Sequence, residues 1–427
     1  MKQSNKSLII VGLQWGDEGK GKFIDYLSGK YDGTVRYNGG NNAGHTVKLK
    51  DETVHFSLIP SAALRGGPVY ISQAVIINPE VLLKEISMLK KIGSKFDLKI
   101  DPRCHVVLPY HQALDSASEE YKGKASTGSL KLGIGFCYED RTNRAGIRLV
   151  DLIDPKMLKS RLEAAWEIKK RRIELVYGSK FSLNSEEVYR RFKQFGRKLK
   201  PFMFPVSEFL RENIDKKRFL FEAAQGTYLD FVFGTYPYTV AYHATASAAL
   251  TDTGLPPLEL NVTGICKAYT TRVGNGPFPA EQKNSIGEHL QTIGREFGTV
   301  SGRKRRCGWL DLVLVKNAVE LNGAKSLILT KLDVLGGLKK IKIAIGYKLK
   351  GRKLAYPPVS ENDFNRVEPV YREFTGWKQD ISKVRKFGLL PANCRKYIKF
   401  IENFLKVPVQ FISVGPERDQ TIRKRSE

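Results

Sequence analysis

An apolar run, Leu8–Val11, leads directly into Gly12-Leu-Gln-Trp-Gly-Asp-Glu-Gly-Lys-Gly-Lys22, and a helix-spaced segment follows from Lys22 to about Ser28. Strand, glycine-rich turn and helix in that order belong to an α/β chain, because the helix crosses back over a sheet whose next strand runs parallel. The glycines let backbone N–H groups curl around an anion. The helix N-terminus adds positive potential, and Lys20 and Lys22 supply charge. Gly16–Lys22 satisfies the G-x-x-x-x-G-K half of a phosphate-loop pattern. The next residue is Phe23, where such loops carry Ser or Thr to hold Mg²⁺. Either the segment is a glycine-rich turn with surface lysines, or a metal is held by another group. Asp17, inside the loop, is the available carboxylate, and an acid among phosphates is costly without a metal or a proton-transfer task.

Apolar runs around 33–37, 46–50, 53–58, 104–108, 219–222, 262–267, 326–329 and 409–413 read as further short strands. Segments 81–92 and 310–321 have helical spacing. The alternation predicts an α/β fold, with a mainly parallel central sheet flanked by helices and ligands at the strand C-terminal ends. Residues 155–216 are charged and helical in period and read as an insertion packed on that core. No repeat, Gly/Ser tract or Pro-rich linker divides the 427 residues. A single α/β domain with insertions is the preferred organisation.

The chain carries 71 Lys plus Arg against 44 Asp plus Glu, a formal charge of +27. Such a field attracts anions without choosing among nucleotides, acidic metabolites, nucleic acid or membranes. The five cysteines are far apart and form no C-x-x-C pair, against a disulfide scaffold, zinc ribbon or iron–sulfur protein and in keeping with a reducing compartment. No apolar run reaches the roughly 18–20 residues a bilayer needs. Ser7–Leu13 is too short for a signal peptide and has no small-residue cleavage site. A soluble, cytoplasmic protein is expected.

Three further clusters carry chemistry. Asn38–Thr46 (NGGNNAGHT) is rich in glycine and contains one of six histidines, His45. That residue is either a structural turn histidine or a proton donor to an oxyanion. Thr330-Lys-Leu-Asp333 follows an apolar strand and resembles the guanine-reading N-K-x-D of GTPases. In that motif a carboxylate accepts from guanine N1–H and the 2-amino group, which adenine cannot offer together. Alone it is equally an exposed turn; with a phosphate loop upstream it suggests a GTP site. Ser301–Gly308 places four cations in succession. It reads as a solvated loop, a nucleic-acid patch or a clamp for carboxylates and phosphates. The absence of interleaved aromatics favours the clamp.

Together these segments resemble the adenylosuccinate synthetase family, GTP-dependent ligases that join aspartate to IMP. The carrying stretches are Gln14–Lys22, Asn42–Thr46, Tyr138–Arg148 (YEDRTNRAGIR), Gln225–Tyr238 (QGTYLDFVFGTYPY), Lys267–Glu281 (KAYTTRVGNGPFPAE), Arg305–Leu312 (RRCGWLDL), Thr330–Leu335 and Gly415–Arg418 (GPER), in the family's order. The resemblance implies that GTP phosphorylates the 6-oxygen of IMP and that the aspartate amine then displaces phosphate. It implies Asp17 as the base for the N1 proton and as a Mg²⁺ ligand, with the carbonyl of Gly44 as another. His45 would be the acid beside the γ-phosphoryl leaving group, and Gln225 would hold the 6-oxygen.

By the same resemblance GTP would be held by Gly16, Asp17, Glu18, Gly19, Lys20, Gly21 and Lys22. Gly44, His45, Thr46 and Arg305 join them, with the guanine set among Lys331, Leu332, Asp333, Ser413, Val414 and Gly415. Residues 331–427 would thus be a guanine-binding C-terminal portion. IMP would meet Asp17, Lys20, Asn42, Ala43, Gly44, His45 and Gln225, with Thr127, Val240, Val273 and Arg303. Arg144 would reach it from the other subunit of a homodimer. The loop of Thr299, Val300, Ser301, Gly302, Arg303 and Arg305 would grip L-aspartate. Mg²⁺ is the implied cofactor; neither a membrane nor nucleic acid is an implied partner.

Departures from the family pattern cluster at the monophosphate side. Ser129-Leu-Lys-Leu132 stands where a single Arg is usual, Phe136 replaces a proline, and Thr239-Val-Ala-Tyr-His243 replaces Val-Thr-Ser-Ser-Asn. Ala223 stands for a glycine and Val300 for a threonine. Two alternatives follow: the same chemistry on another 6-oxopurine nucleotide such as dGMP, or a non-catalytic nucleotide- or RNA-binding relative. Asp17 favours IMP, and Asp17, His45 and Gln225 together argue against a pure binder.

Overall fold

A nine-stranded sheet runs through the computed structural model, which describes residues 7–48, 53–298 and 302–424. Its order is Thr421–Arg423, Val409–Ser413, Ser326–Thr330, Asn261–Lys267, Leu8–Gly12, Phe219–Gly226, Gly33–Arg36, Gly67–Ile71 and Phe96–Ile100. Every neighbouring pair is parallel except the edge strand Thr421–Arg423, which is antiparallel to Val409–Ser413. Strands covered on both faces read as continuous apolar runs rather than alternating ones. Ile9, Ile10 and Val11 are all buried, as are Phe219, Leu220 and Phe221. The α/β class with a mainly parallel sheet is therefore the observed one.

The phosphate-loop helix spans Lys20–Ser28 and starts two residues earlier than its spacing predicts, because Gly19 caps it in a left-handed conformation with φ 92°. The predicted helix 81–92 runs Pro79–Lys91, with the Asn78 side chain accepting from the Glu80 and Val81 amides. The segment read as one helix over 310–321 is a two-residue strand, Leu310–Asp311, followed by the helix Leu312–Asn322. Asp311 makes the break by accepting from Val313 N at 3.1 Å and Leu314 N at 3.3 Å. The predicted strand 104–108 reduces to His105–Val106. Residues 155–216 contain helices Pro155–Arg171, Ser185–Leu199 and Val206–Asn213. Leu158, Leu162, Val188 and Phe192 enter the same apolar cluster as Ile10 and Val69 of the sheet.

The lysine-rich stretch 339–353 contributes to a second sheet. Lys340–Leu349 is the central strand of a second, four-stranded sheet, with Leu310–Asp311, Arg352–Leu354 and Glu368–Thr375. Its alternation buries Ile341 and Ile343 while Lys340 pairs with Glu373 at 2.8 Å.

Candidate functional site

The carboxyl ends of the parallel strands converge on one cavity of about 1210 Å³. Leu8–Gly12 delivers the phosphate loop, Gly33–Arg36 the Asn38–His45 turn, and Phe219–Gly226 delivers Gln225. Ser326–Thr330 and Val409–Ser413 deliver Lys331 and Ser413. This is where an open parallel sheet places its ligands.

The loop is shaped from inside by Glu18. Its buried carboxylate accepts from Gln14 N at 3.1 Å and Gly16 N at 2.9 Å, and takes Lys20 Nζ at 2.7 Å. Gly12 and Gly226 make room for it: a Cβ on either would come within 2.5 Å of a Glu18 oxygen. Asp17 takes a left-handed backbone, φ 60°, which turns its side chain away from Glu18 and toward the cavity rim. There Arg305 Nε lies 2.7 Å from Asp17 Oδ2, while Arg305 Nη1 donates to Glu296 Oε2 at 2.6 Å. Glu296 is buried and also takes Lys267 Nζ at 2.8 Å and the Tyr269 hydroxyl. Burial pushes the Glu296 carboxyl up, but Lys267, Lys331 and Arg305 outweigh that and hold it down at about 2.

His45, in the hairpin strand His45–Lys48, lines the cavity and is buried. Its Nδ1 pairs with Glu222 Oε1 and lies 3.3 Å from Ser61 Oγ; its buried Nε2 has no partner among the described residues. Glu222 is fixed by Ser61, whose amide donates to Oε2 and whose hydroxyl donates to Oε1, both at 3.1 Å.

At the guanine-like end Lys331 has φ 60° and donates to Gly294 O at 2.6 Å. Asp333 Oδ1 is buried with no hydrogen-bond partner among the described residues, and burial raises the carboxyl's pKa. An acceptor left open in this way fits a ligand donor such as N1–H of a purine. Lys22 is tied to the C-terminal strand and turn. It donates to Ser413 Oγ at 2.7 Å, Gly415 O at 2.8 Å and Gln420 O at 3.0 Å. Burial lowers its ammonium to about 7 against the pull of Asp333 and Asp419.

Asn42, Thr127, Val240, Val273 and Arg303 also line the cavity. Gln225 Nε2 donates to Asn42 O at 3.4 Å, Asn42 Nδ2 to the Tyr242 hydroxyl at 3.3 Å, and Arg303 Nη2 to Gly128 O at 3.0 Å. Glu119, also in the lining, accepts from Thr127 N and Oγ1, Gly128 N and Ser129 N at 2.9–3.3 Å.

The cavity thus gathers Asp17, Glu18, Gly19, Lys20, Gly21, Lys22, Asn42, Ala43, Gly44, His45, Gln225, Arg305, Lys331, Asp333, Ser413 and Gly415 with the residues just named. Gly16, Leu332 and Val414 are buried behind it. Arg144 is exposed, with φ 63°, after the helix Ile134–Thr142 and does not line the cavity. Gly302 is exposed and outside the lining; Thr299, Val300 and Ser301 lie outside the described residues, and so does the side chain of Thr46. Sequence reasoning missed Glu222, Glu296 and Glu119. Only Glu222 had a signal, an acid inside the apolar strand run Phe219–Ala224.

A family model described as adenylosuccinate synthetase matches residues 9–422. The adenylosuccinate synthetase of Acetivibrio thermocellus is 45% identical over 418 residues, 97% of this chain and 98% of that protein. That of Thermoanaerobacter sp. is 46% identical over 420 residues, with the same coverage of 97% and 98%. Among solved structures, fully ligated adenylosuccinate synthetase from Plasmodium falciparum superposes with a TM-score of 0.93 at 36% identity, covering 98% of this chain and all of that one. A cyanophage S-2L succinoaminodeoxyadenylate synthetase bound to dGMP and dATP shares the fold alone, with a TM-score of 0.62 at 18% identity. A likeness that follows the chain from its first strand to its last has one meaning: the protein belongs to the adenylosuccinate synthetase family and is a GTP-dependent ligase of that type.

Proposed function

We propose that the protein joins L-aspartate to C6 of IMP to give adenylosuccinate, with GTP as the phosphoryl donor and 6-phosphoryl-IMP as the intermediate. One observation carries the reading. A single cavity joins an open guanine acceptor, Asp333, through the phosphate loop to Asp17, His45 and Gln225. The 6-oxygen of a hypoxanthine is a poor leaving group. Asp17 takes the N1 proton, the 6-oxygen held by Gln225 attacks the γ-phosphorus, and the bond to the β-phosphate oxygen breaks. His45, carrying a proton on both ring nitrogens, donates from Nε2 to that departing oxygen as GDP leaves. The aspartate amine then forms the C6–N bond, the C6–O bond breaks, and inorganic phosphate and a proton depart. A general base and acid of this kind contribute about 10²–10⁴-fold each.

Asp17 and Gly44 both line the cavity, and a carboxylate and a carbonyl oxygen would suit a hard cation, with phosphates and water completing its shell. Mg²⁺ held there would neutralise phosphate charge. The loop 299–305 would hold the aspartate carboxylates through Arg303 and Arg305, and Asn42, Thr127, Val240 and Val273 would border the IMP. Arg144, outside the cavity, would serve a neighbouring subunit's site in a homodimer. The chain would act as one unit, with 155–216 as a helical insertion and 331–427 carrying the guanine pocket. A cytoplasmic setting fits; among the described residues no helix is long and apolar enough to cross a membrane.

The test is purified protein with GTP, Mg²⁺ and aspartate, offered IMP or dGMP, followed by succinyl-nucleotide absorbance and GDP release. Turnover with IMP supports the reading. Turnover with dGMP and not IMP overturns the acceptor, and turnover with neither overturns the ligation.

A further inference from the structure

We propose that Glu222 is the positioning residue for His45: it keeps Nδ1 protonated, so that the proton the ring can give or take is the one on Nε2, at the cavity. The proposal rests on the role given to His45 above and adds a residue that role does not name.

Glu222 is fully buried on the central strand Phe219–Gly226, three residues before Gln225. Its strand pairs in register with Gly33–Arg36, so Arg36 is its neighbour across the sheet. The Arg36 guanidinium is spent on the carbonyls of Asn38, Ser57 and Gly40, which lock the turn that carries His45. Glu222 therefore has two strong claims on it: Ser61, through amide and hydroxyl, and His45 Nδ1. Burying a carboxylate raises its pKa. Here the charge and hydrogen bond of His45, the charge of Arg36 and the Ser61 hydroxyl outweigh that, so Glu222 stays ionised.

A carboxylate is acceptor-only, so the atom facing it must carry the proton. Nδ1–H is thereby fixed, and a flipped ring would leave the buried Glu222 with Ser61 as its one remaining hydrogen-bonding residue, which is unfavourable. Nε2 is the atom left over, buried and without a hydrogen-bond partner among the described residues, on a residue that lines the cavity. This is the arrangement by which a buried acid sets the tautomer and orientation of a reacting imidazole. Ser61 completes it as the residue that keeps Glu222 from rotating away.

The first test needs no turnover. In a ¹⁵N-histidine spectrum of the ligand-free protein, with His45→Asn for assignment, His45 should show a proton on Nδ1 shifted far downfield by its carboxylate partner. Glu222→Gln should abolish that signal. A His45 protonated at Nε2 alone overturns the proposal, and this holds even where Glu222→Gln fails to fold. The second test is kinetic. Glu222→Gln should lower kcat about 10²-fold or more, with KM for GTP, IMP and aspartate changed less than about threefold. An unchanged kcat overturns the proposal, as does a loss confined to KM. Ser61→Ala should give a smaller fall in kcat of the same kind. If the wild type ligates neither IMP nor dGMP, the spectrum still decides whether Glu222 sets the tautomer.

Discussion

Arg305 already holds Asp17: its Nε lies 2.7 Å from Asp17 Oδ2, while its other arm is anchored on the buried Glu296 at 2.6 Å. The loop acid is therefore paired with an arginine of the 299–305 loop, the segment proposed above to grip aspartate. A cation at Asp17, or a purine N1–H, has to take the carboxylate from Arg305. That arginine is then free to turn to a substrate carboxylate, so the two events are coupled by one side chain.

Asp17→Ala removes the group at the centre of this exchange. Turnover should fall by about 10³-fold or more, since the base is lost, while binding of a fluorescent GTP analogue changes little. Equilibrium titration beside steady-state kinetics separates the two. Turnover within tenfold of wild type would remove Asp17 from the proton-transfer role.

Lys22→Met tests the guanine end. The ammonium ties the phosphate-loop helix to Ser413, Gly415 and Gln420, so its loss should loosen the base pocket more than the phosphates. A hydrogen bond to a charged group contributes about 1.5–3 kcal/mol, and we expect the GTP-over-ATP ratio of kcat/KM to fall about tenfold. An equal loss with both nucleotides would place Lys22 on the phosphates instead.

Glu119 occupies what looks from the donors' side like an anion nest. Thr127, Gly128 and Ser129 point their amides at one carboxylate, aided by the Thr127 hydroxyl. Burial raises the Glu119 pKa, yet these donors bring it below the ordinary value. A nucleotide phosphate wants the same donors, so Glu119 competes with it. Glu119→Ala should lower the KM for IMP several-fold, on the order of 1 kcal/mol, with kcat unchanged. A raised KM would show that Glu119 shapes the loop rather than blocks it.

How much of this was legible in the sequence depends on whether a contact is local. The central strands were readable because burial on both faces leaves unbroken apolar runs such as Leu8–Val11 and Phe219–Phe221. Lys340–Leu349 was not, because alternating lysines and isoleucines resemble a solvated face until the partner strand Glu368–Thr375 is in place. The phosphate loop announced itself by glycines within one turn. Glu296 gave no sign: Lys267, Arg305 and Lys331 come from three separate segments, and only the fold brings them to one carboxylate. The partners of Lys22 were hidden for the same reason, since its acceptors lie in the far C-terminal strand and turn.

Glu296 has a consequence for stability that can be signed. Its folded pKa of about 2 lies below the ordinary 4.5, so as pH falls the unfolded chain takes up the proton first. Its stabilisation is complete above about 4.5 and is lost as pH falls through 4.5 toward 2. The full span amounts to roughly 3 kcal/mol at about 1.4 kcal/mol per pH unit. Glu296→Gln leaves Lys267 and Arg305 facing a neutral amide in a buried site, and should cost about 3–5 kcal/mol at neutral pH. Because the variant cannot titrate there, its deficit should shrink as the pH is lowered. Urea unfolding at pH 7, 4.5 and 3.5 measures this directly. A deficit that stays constant across the three would mean that the cluster is held by packing and hydrogen bonds rather than by the charge on Glu296.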